Sequence, residues 1–147
     1  MQVFEELEIE IPESIAVYME TDLFELEEST DPDALEKYLF YTPELIRQFG
    51  LINAELKRRK SIREYELESR EAVILASIST GLSSHKYKND HARLSAVRID
   101  SEYREIKASL IDIEHSIANT TESLYKNKNL LQSLSNITQL RVSERRL

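Results

Sequence analysis

The sequence predicts an all-α protein: a long helical hairpin or coiled coil with short N-terminal helices, assembling as a homo-oligomer. The chain of 147 residues contains only 2 Gly and 3 Pro, so few positions force a turn and long helices are favoured. Two long stretches repeat apolar side chains at alternating steps of three and four, which is the spacing of one helix face. The composition, 41% hydrophobic and 31% charged without Trp, is typical of a soluble chain with a large surface.

The charges of the chain are strongly segregated. Residues 1–36 contain 13 acidic and no basic residues, and residues 37–147 contain 14 acidic and 19 basic residues. The two parts carry −13 and +5, which gives the net charge of −8. We interpret 1–36 as an acidic arm with a short helix and 37–147 as a helical hairpin that oligomerises and offers a basic surface to an anionic partner, within a single domain overall. The arm could bind a basic partner, fold over the basic surface, or remain a disordered solubilising terminus.

The N-terminal part predicts short elements. Residues 7–11 alternate apolar and acidic side chains with the period of a strand, which could pair with a partner's sheet edge or form an extended arm. Pro12 favours a helix start, and helical spacing continues over 13–28. An Asp-Pro pair then opens a second short helix over 31–39, with Asp as the cap and Pro at the first helical position.

A long helix is predicted from Thr42 and Pro43, as cap and first residue, to about Ser79. One stripe along it comprises Leu45, Phe49, Ile52, Leu56, Arg59, Arg63, Leu67, Arg70, Ile74 and Ile78. The three arginines occupy positions where a packed helix needs apolar side chains, and burying them unpaired is costly. They either pair with carboxylates on another helix or face an opening in an oligomer, where they would attract phosphates.

The last helix is predicted to follow a basic loop and to begin near Asp90 or, after a break, at Asp100. Its stripe comprises Tyr103, Ile106, Leu110, Ile113, Ile117, Thr120, Leu124, Asn127, Leu131, Leu134, Thr138 and Arg141. This spacing is typical of a coiled coil, in which polar seam residues lower stability and can fix the register. Two helices about 60 Å long have little core for their surface. We therefore predict oligomerisation through Tyr103, Ile106, Leu110, Ile113, Ile117, Leu124, Leu131 and Leu134.

A basic cluster interrupts the first long helix in the segment ELKRRKSIREYE, residues 55–66. Its cations, which we call the basic knot, are Lys57, Arg58, Arg59, Lys60 and Arg63. They run most of the way round the helix, and an ordinary solvated face explains part of them. The pairs Glu55–Arg59 and Glu66–Arg70 have the favourable (i, i+4) orientation, worth about 0.2–0.5 kcal/mol each. The candidate nucleic-acid-binding residues are the knot together with Arg70, Lys86, Lys88, Arg93 and Arg98.

Catalytic and metal-binding patterns are not found in the sequence. His85 and His91 flank the loop, but a metal site needs three or four converging ligands, and the chain has no Cys. No nucleophile–base arrangement or phosphate-binding Gly-rich loop is present. We therefore predict no enzyme activity, metal or cofactor. The N-terminus lacks the basic start of a signal peptide and no apolar run approaches the roughly 20 residues that cross a bilayer, which favours a cytoplasmic protein without membrane contact.

The layout resembles the UvsY-like recombination mediators of T-even-type bacteriophages over roughly residues 20–145. An acidic segment leads into a helix ending KYL, and a long charged helix ends in ISTG before a variable loop. The last helix opens with RIDSEY and closes with SLSNITQLR. The resemblance implies a homo-oligomer, as a ring, acting in DNA recombination and repair in the host cytoplasm. Members bind single-stranded DNA, help displace the single-strand DNA-binding protein, and load a RecA-like recombinase.

One departure from the family affects the site. Members tend to carry a Lys-x-Arg pair shortly before the Gly, whereas this chain reads EAVILASISTG, with no basic residue after Arg70. The family's DNA contacts therefore cannot be transferred position by position. The alternative function is a structural coiled-coil scaffold or adaptor that binds no nucleic acid.

Overall fold

The fold is a set of α-helices, seen in a computed structural model that describes residues 7, 9–22, 25, 32–79 and 89–146. The helices are α1 (Glu13–Met19), α2 (Pro32–Ser79), α3 (Asp90–Ile99) and α4 (Ser101–Arg146). Every regular element in this described part is helical, and α2 packs against α4 as a long hairpin pair. The all-α class is confirmed. The chain forms two compact units. The first comprises Met1–Glu55 and Ala118–Leu147, the second comprises Leu56–Ile117, and α2 and α4 each contribute to both.

The N-terminal helix is shorter than predicted. It starts after Pro12, as expected, but ends at Met19. Farther along the predicted 13–28 helix, Glu25 is helical, while 23, 24 and 26–28 lie outside the described residues. Thr21 explains the end of α1, because its amide donates to the Tyr18 carbonyl and its hydroxyl to the Val17 carbonyl, at 3.3 and 3.1 Å. Residues 9–12 have no regular secondary structure. Residues 9–11 of the predicted 7–11 alternation therefore form no strand here, and Ile11 packs against the core of the first unit. Pairing with a partner's sheet edge stays a prediction.

The predicted break at Thr42 and Pro43 is wrong, because α2 runs unbroken from Pro32 to Ser79. A proline inside a helix removes one hydrogen bond and costs about 3 kcal/mol. Packing on both sides of Pro43 offsets this cost, since Tyr38 and Leu45 are 2% and 0% exposed in the same cluster. The Thr42 hydroxyl donates to the Tyr38 carbonyl at 3.1 Å instead of capping a new helix.

The first unit has a core where α1, the first part of α2 and the last part of α4 meet. Its buried residues are Ile15, Tyr38, Leu45 and Phe49, with Tyr18, Tyr41, Leu124 and Leu130 packed around them. Two polar pairs link α2 to α4 in this unit. The Tyr38 hydroxyl donates to Asn127 Oδ1 at 2.6 Å, and Asn53 Nδ2 donates to the Thr121 hydroxyl at 3.2 Å. The Tyr38–Asn127 pair satisfies polar groups inside the seam and thereby favours one register. Asn53 Oδ1, in contrast, is buried without a hydrogen-bond partner among the described residues.

The second unit packs the end of α2 against α3 and the start of α4. Its buried core comprises Ile74, Ile78 and Val97, with Leu75, Ala96 and Tyr103 around it. Two side-chain caps mark where α3 and α4 begin. Asn89 Oδ1 accepts from the Ala92 amide at 2.8 Å and starts α3, while Asp100 Oδ2 accepts from the Tyr103 amide at 2.9 Å and starts α4. The break expected at Asp100 is therefore present.

Candidate nucleic-acid interface

The basic residues concentrate in one unit. Residues 56–117 contain 12 of the 19 Lys and Arg and 10 of the 27 Asp and Glu. That unit is therefore net +2, and the remainder of the chain is net −10. A polyanion is attracted to clustered, solvent-exposed cations, so any nucleic-acid interface is best sought in this unit.

The cations of the basic knot are largely engaged within the chain. Lys60 Nζ lies 3.8 Å from Glu64 Oε1 on its own helix and 3.9 Å from Glu114 Oε1 on α4. Arg63 Nη1 lies 2.6 Å from Glu66 Oε2, and Arg58 and Arg59 also interact with other residues. Exposed pairs of this kind are worth only about 0.2–1 kcal/mol each. They nevertheless place carboxylates among the cations, which weakens the pull of the knot on phosphates.

Arg70 pairs with carboxylates of another helical segment, one of the two outcomes that the sequence left open. Its Nε and Nη2 donate to Asp100 Oδ2 and Oδ1, both at 2.9 Å, and its Nη1 lies 3.1 Å from Glu102 Oε2. The Arg70 hydrogen bonds and the cap to Tyr103 lower the pKa of Asp100 to about 2. The predicted Glu66–Arg70 pair is replaced, because Glu66 turns to Arg63 while Arg70 reaches the α3–α4 junction. Arg70 therefore holds this junction together.

Two grooves among the described residues of the second unit differ in charge. The larger, about 680 Å³, has mixed charge, since Arg63 and Arg70 share its walls with Glu66, Glu102 and Glu105. The smaller, about 500 Å³, is lined by Arg98, Tyr103, Arg104, Lys107, Ala108 and Ile111. We call the smaller one the cationic groove, because it has three positive side chains and no carboxylate. Of the two, only the cationic groove has a lining suited to a polyanion.

The three cations of the cationic groove come from neighbouring helices. Arg98 lies in the last turn of α3, and Arg104 and Lys107 lie three positions apart near the start of α4. All three are exposed, and none forms an ion pair with another residue in the described ranges. Arg98 was among the binding residues predicted from the sequence, whereas Arg104 and Lys107 were not. The signal for them was their spacing with Ile111, in steps of three and four beside the α4 stripe.

The other predicted binding residues have mixed placements. Lys57 is exposed on α2, and Arg93 is half-buried on α3 with an interaction partner. Lys86 and Lys88, together with His85, lie outside the described residues. The structure therefore places Arg98 in the cationic groove and leaves the α2 cations on a separate helix.

The predicted oligomerisation residues line the side of α4 that packs within the chain. Leu110 is buried, and Tyr103, Ile106, Ile113, Ile117, Leu124 and Leu131 are half-buried. Tyr103 packs on the Ile74 cluster and Leu124 on the Tyr38 cluster, whereas the Leu134 side chain is outside the described part. The predicted stripe is thus a real packing face. Its use between copies of the chain stays a prediction.

Other kinds of site are absent from the part of the chain that the structure describes. No group of three or more His, Asp or Glu side chains there could hold a metal ion. Among the same residues, no helix combines the length and apolar character that a membrane span requires.

Comparisons with known proteins add no assignment. No protein-family model matches the sequence, and neither curated proteins nor solved structures give a match. The resemblance to recombination mediators therefore stays a prediction from the sequence.

Proposed function

We propose that this protein is a single-stranded DNA-binding recombination mediator that helps a RecA-like recombinase replace the single-strand DNA-binding protein. The observation that carries this proposal is the cationic groove, where Arg98, Arg104 and Lys107 stand exposed without an ion-pair partner among the described residues. Unpaired cations release counterions from a phosphate backbone without first losing a protein carboxylate, so they contribute fully to affinity. The resemblance to the mediators supplies the biological role.

Fluorescence anisotropy with a labelled oligo-dT strand tests the binding step. We expect saturable binding whose affinity falls steeply between about 50 and 200 mM salt. No binding at the lowest salt would refute the proposal, and binding insensitive to salt would exclude phosphate contacts. The mediator step is tested by recombinase ATPase activity on DNA coated with single-strand DNA-binding protein. The lag before recombinase activity should shorten when the protein is added.

A structural scaffold is the second candidate, and exposed apolar side chains on α2 favour it. Ile62, Tyr65 and Val73 are 43%, 72% and 57% exposed, and Tyr65 and Val73 also line the larger groove. Such side chains are common at protein interfaces when they cluster. Native mass spectrometry with and without oligo-dT distinguishes the two functions, because a scaffold assembles without binding the strand. A mediator that works as a homo-oligomer binds DNA as an assembled complex.

A further inference from the structure

We propose that the cationic groove at the α3–α4 junction, and not the basic knot of α2, holds the phosphate backbone of the nucleic-acid strand. This inference rests on the proposed function, because it names the surface through which that function acts. It differs from the expectation that the dense cluster at 57–63 is the principal contact. The two surfaces differ in which cations already have carboxylate partners and in which residues line them.

The cations of the knot and those of the groove differ in their carboxylate partners. In the knot, Lys60 lies 3.8 and 3.9 Å from the carboxylates of Glu64 and Glu114, and Arg63 lies 2.6 Å from Glu66. A phosphate arriving there must displace these carboxylates or tolerate their repulsion. In the groove, no carboxylate belongs to the lining. The same number of cations should therefore bind phosphates more tightly in the groove.

The positions of Arg104 and Lys107 explain why neither has an ion-pair partner among the described residues. Helical ion pairs form at separations of three and four, and Lys107 has Leu110 and Ile111 at those positions on its C-terminal side. The carboxylate four positions before Arg104 is Asp100, and it is held by the two hydrogen bonds from Arg70. The ion pair of Arg70 thus engages the one acid that lies three or four positions from Arg104.

The lining of the groove determines which part of a nucleic acid it can bind. Tyr103 lines the groove but is half-buried and packs against the core of its unit, so the groove offers at most one partly covered ring for base stacking. Ala108 and Ile111 give the groove an apolar floor beside its cations. A surface of this composition binds the sugar–phosphate backbone without reading base sequence. Strands of different sequence should therefore bind with similar affinity.

A pair of matched variants tests the inference. The groove variant carries Arg98→Gln, Arg104→Gln and Lys107→Gln, and the knot variant carries Arg58→Gln, Arg59→Gln and Lys60→Gln. Both lose three positive charges, and Gln keeps a good helix propensity. Affinity for labelled oligo-dT is measured by anisotropy at several salt concentrations, with circular dichroism to confirm that each variant is helical.

The groove variant should bind at least tenfold more weakly at low salt, while the knot variant stays within about threefold of the unchanged protein. Three lost phosphate contacts reduce the slope of log affinity against log salt by about 2, since each contributes about 0.7 on a single strand. A second variant, with Arg98→Lys and Arg104→Lys, keeps the charges and should retain most of the binding. That variant separates loss of charge from loss of folding.

Other outcomes overturn specific parts of the reasoning. Loss of binding in the knot variant alone would reject the groove and leave the proposed function standing. Equal losses in both triple variants would indicate general charge attraction without a defined site, which also rejects the inference. If the unchanged protein binds vesicles containing phosphatidylserine but no oligonucleotide, both the inference and the proposed function are wrong.

Discussion

The hydrogen bond between Tyr38 and Asn127 predicts a measurable coupling between α2 and α4. Both residues are 2% exposed, and their side-chain oxygens are 2.6 Å apart. The Asn127 amide nitrogen donates separately to the Ser123 carbonyl at 2.8 Å. Tyr38→Phe keeps the ring and removes only the hydroxyl, so it leaves Asn127 Oδ1 buried without a donor.

The expected cost follows from that unsatisfied acceptor. A buried polar group that loses its partner costs about 1–3 kcal/mol, whereas replacing both partners by apolar groups can be nearly neutral. Tyr38→Phe should therefore lower the free energy of unfolding by about 1–3 kcal/mol. The double variant Tyr38→Phe, Asn127→Leu should be more stable than the two single changes predict together, by about 1 kcal/mol.

Urea unfolding followed by circular dichroism at one fixed protein concentration measures these differences. The fixed concentration matters because assembly would make apparent stability depend on it. Tyr125→Phe is the matched control, since Tyr125 lies two positions before Asn127 and is 67% exposed. Its cost should stay within about 0.5 kcal/mol. If Tyr38→Phe costs no more than this control, or if the double variant is additive, the hydrogen bond is not holding the seam.

Three further changes test the helices and their junction. Gly50→Ala should stabilise the protein by about 0.5–1 kcal/mol, because a Cβ at Gly50 meets nothing within 4 Å; destabilisation in urea would mean that this face is covered. Pro43→Ala should add about 2 kcal/mol in the same assay by restoring the hydrogen bond to Leu39, and no gain would indicate a local distortion. Asp100, whose pKa Arg70 holds at about 2 against an ordinary 3.8, contributes stability above its ordinary pKa that is lost as the pH falls through about 2. Asp100→Asn should make the free energy of unfolding less dependent on pH in this acid range. An unchanged pH profile would contradict this expectation.

The periodic spacing of the sequence was enough to predict the packed faces. Every member of the predicted α2 stripe is buried or half-buried, from Leu45 to Ile78. On α4, the polar seam residues Thr120 and Asn127 are 6% and 2% exposed. Helix period depends only on local geometry, so it can be read from a single sequence.

The partners of the polar residues could not be read in the same way. Asn127 bonds with Tyr38, which is 89 positions away, and Arg70 bonds with Asp100, which is 30 away. Local spacing instead pointed to Glu66 as the partner of Arg70, since helical neighbours are all that sequence distance reveals. The prediction of a helix break at Pro43 failed for the same reason, because contacts from elsewhere in the first unit outweigh a local signal.

The arginines of the second unit show how tertiary pairing separates structural from binding cations. Arg70 lies on the α2 stripe, where two of its nitrogens donate to Asp100 and the third pairs with Glu102. By binding Asp100, it stabilises the start of α4 and engages the one acid that lies three or four positions from Arg104. Arg104 is thus available in the cationic groove because Arg70 already pairs with Asp100 at the α3–α4 junction. The density of Lys and Arg along the chain favoured the knot as the phosphate-binding surface, whereas the carboxylate partners of these cations favour the groove.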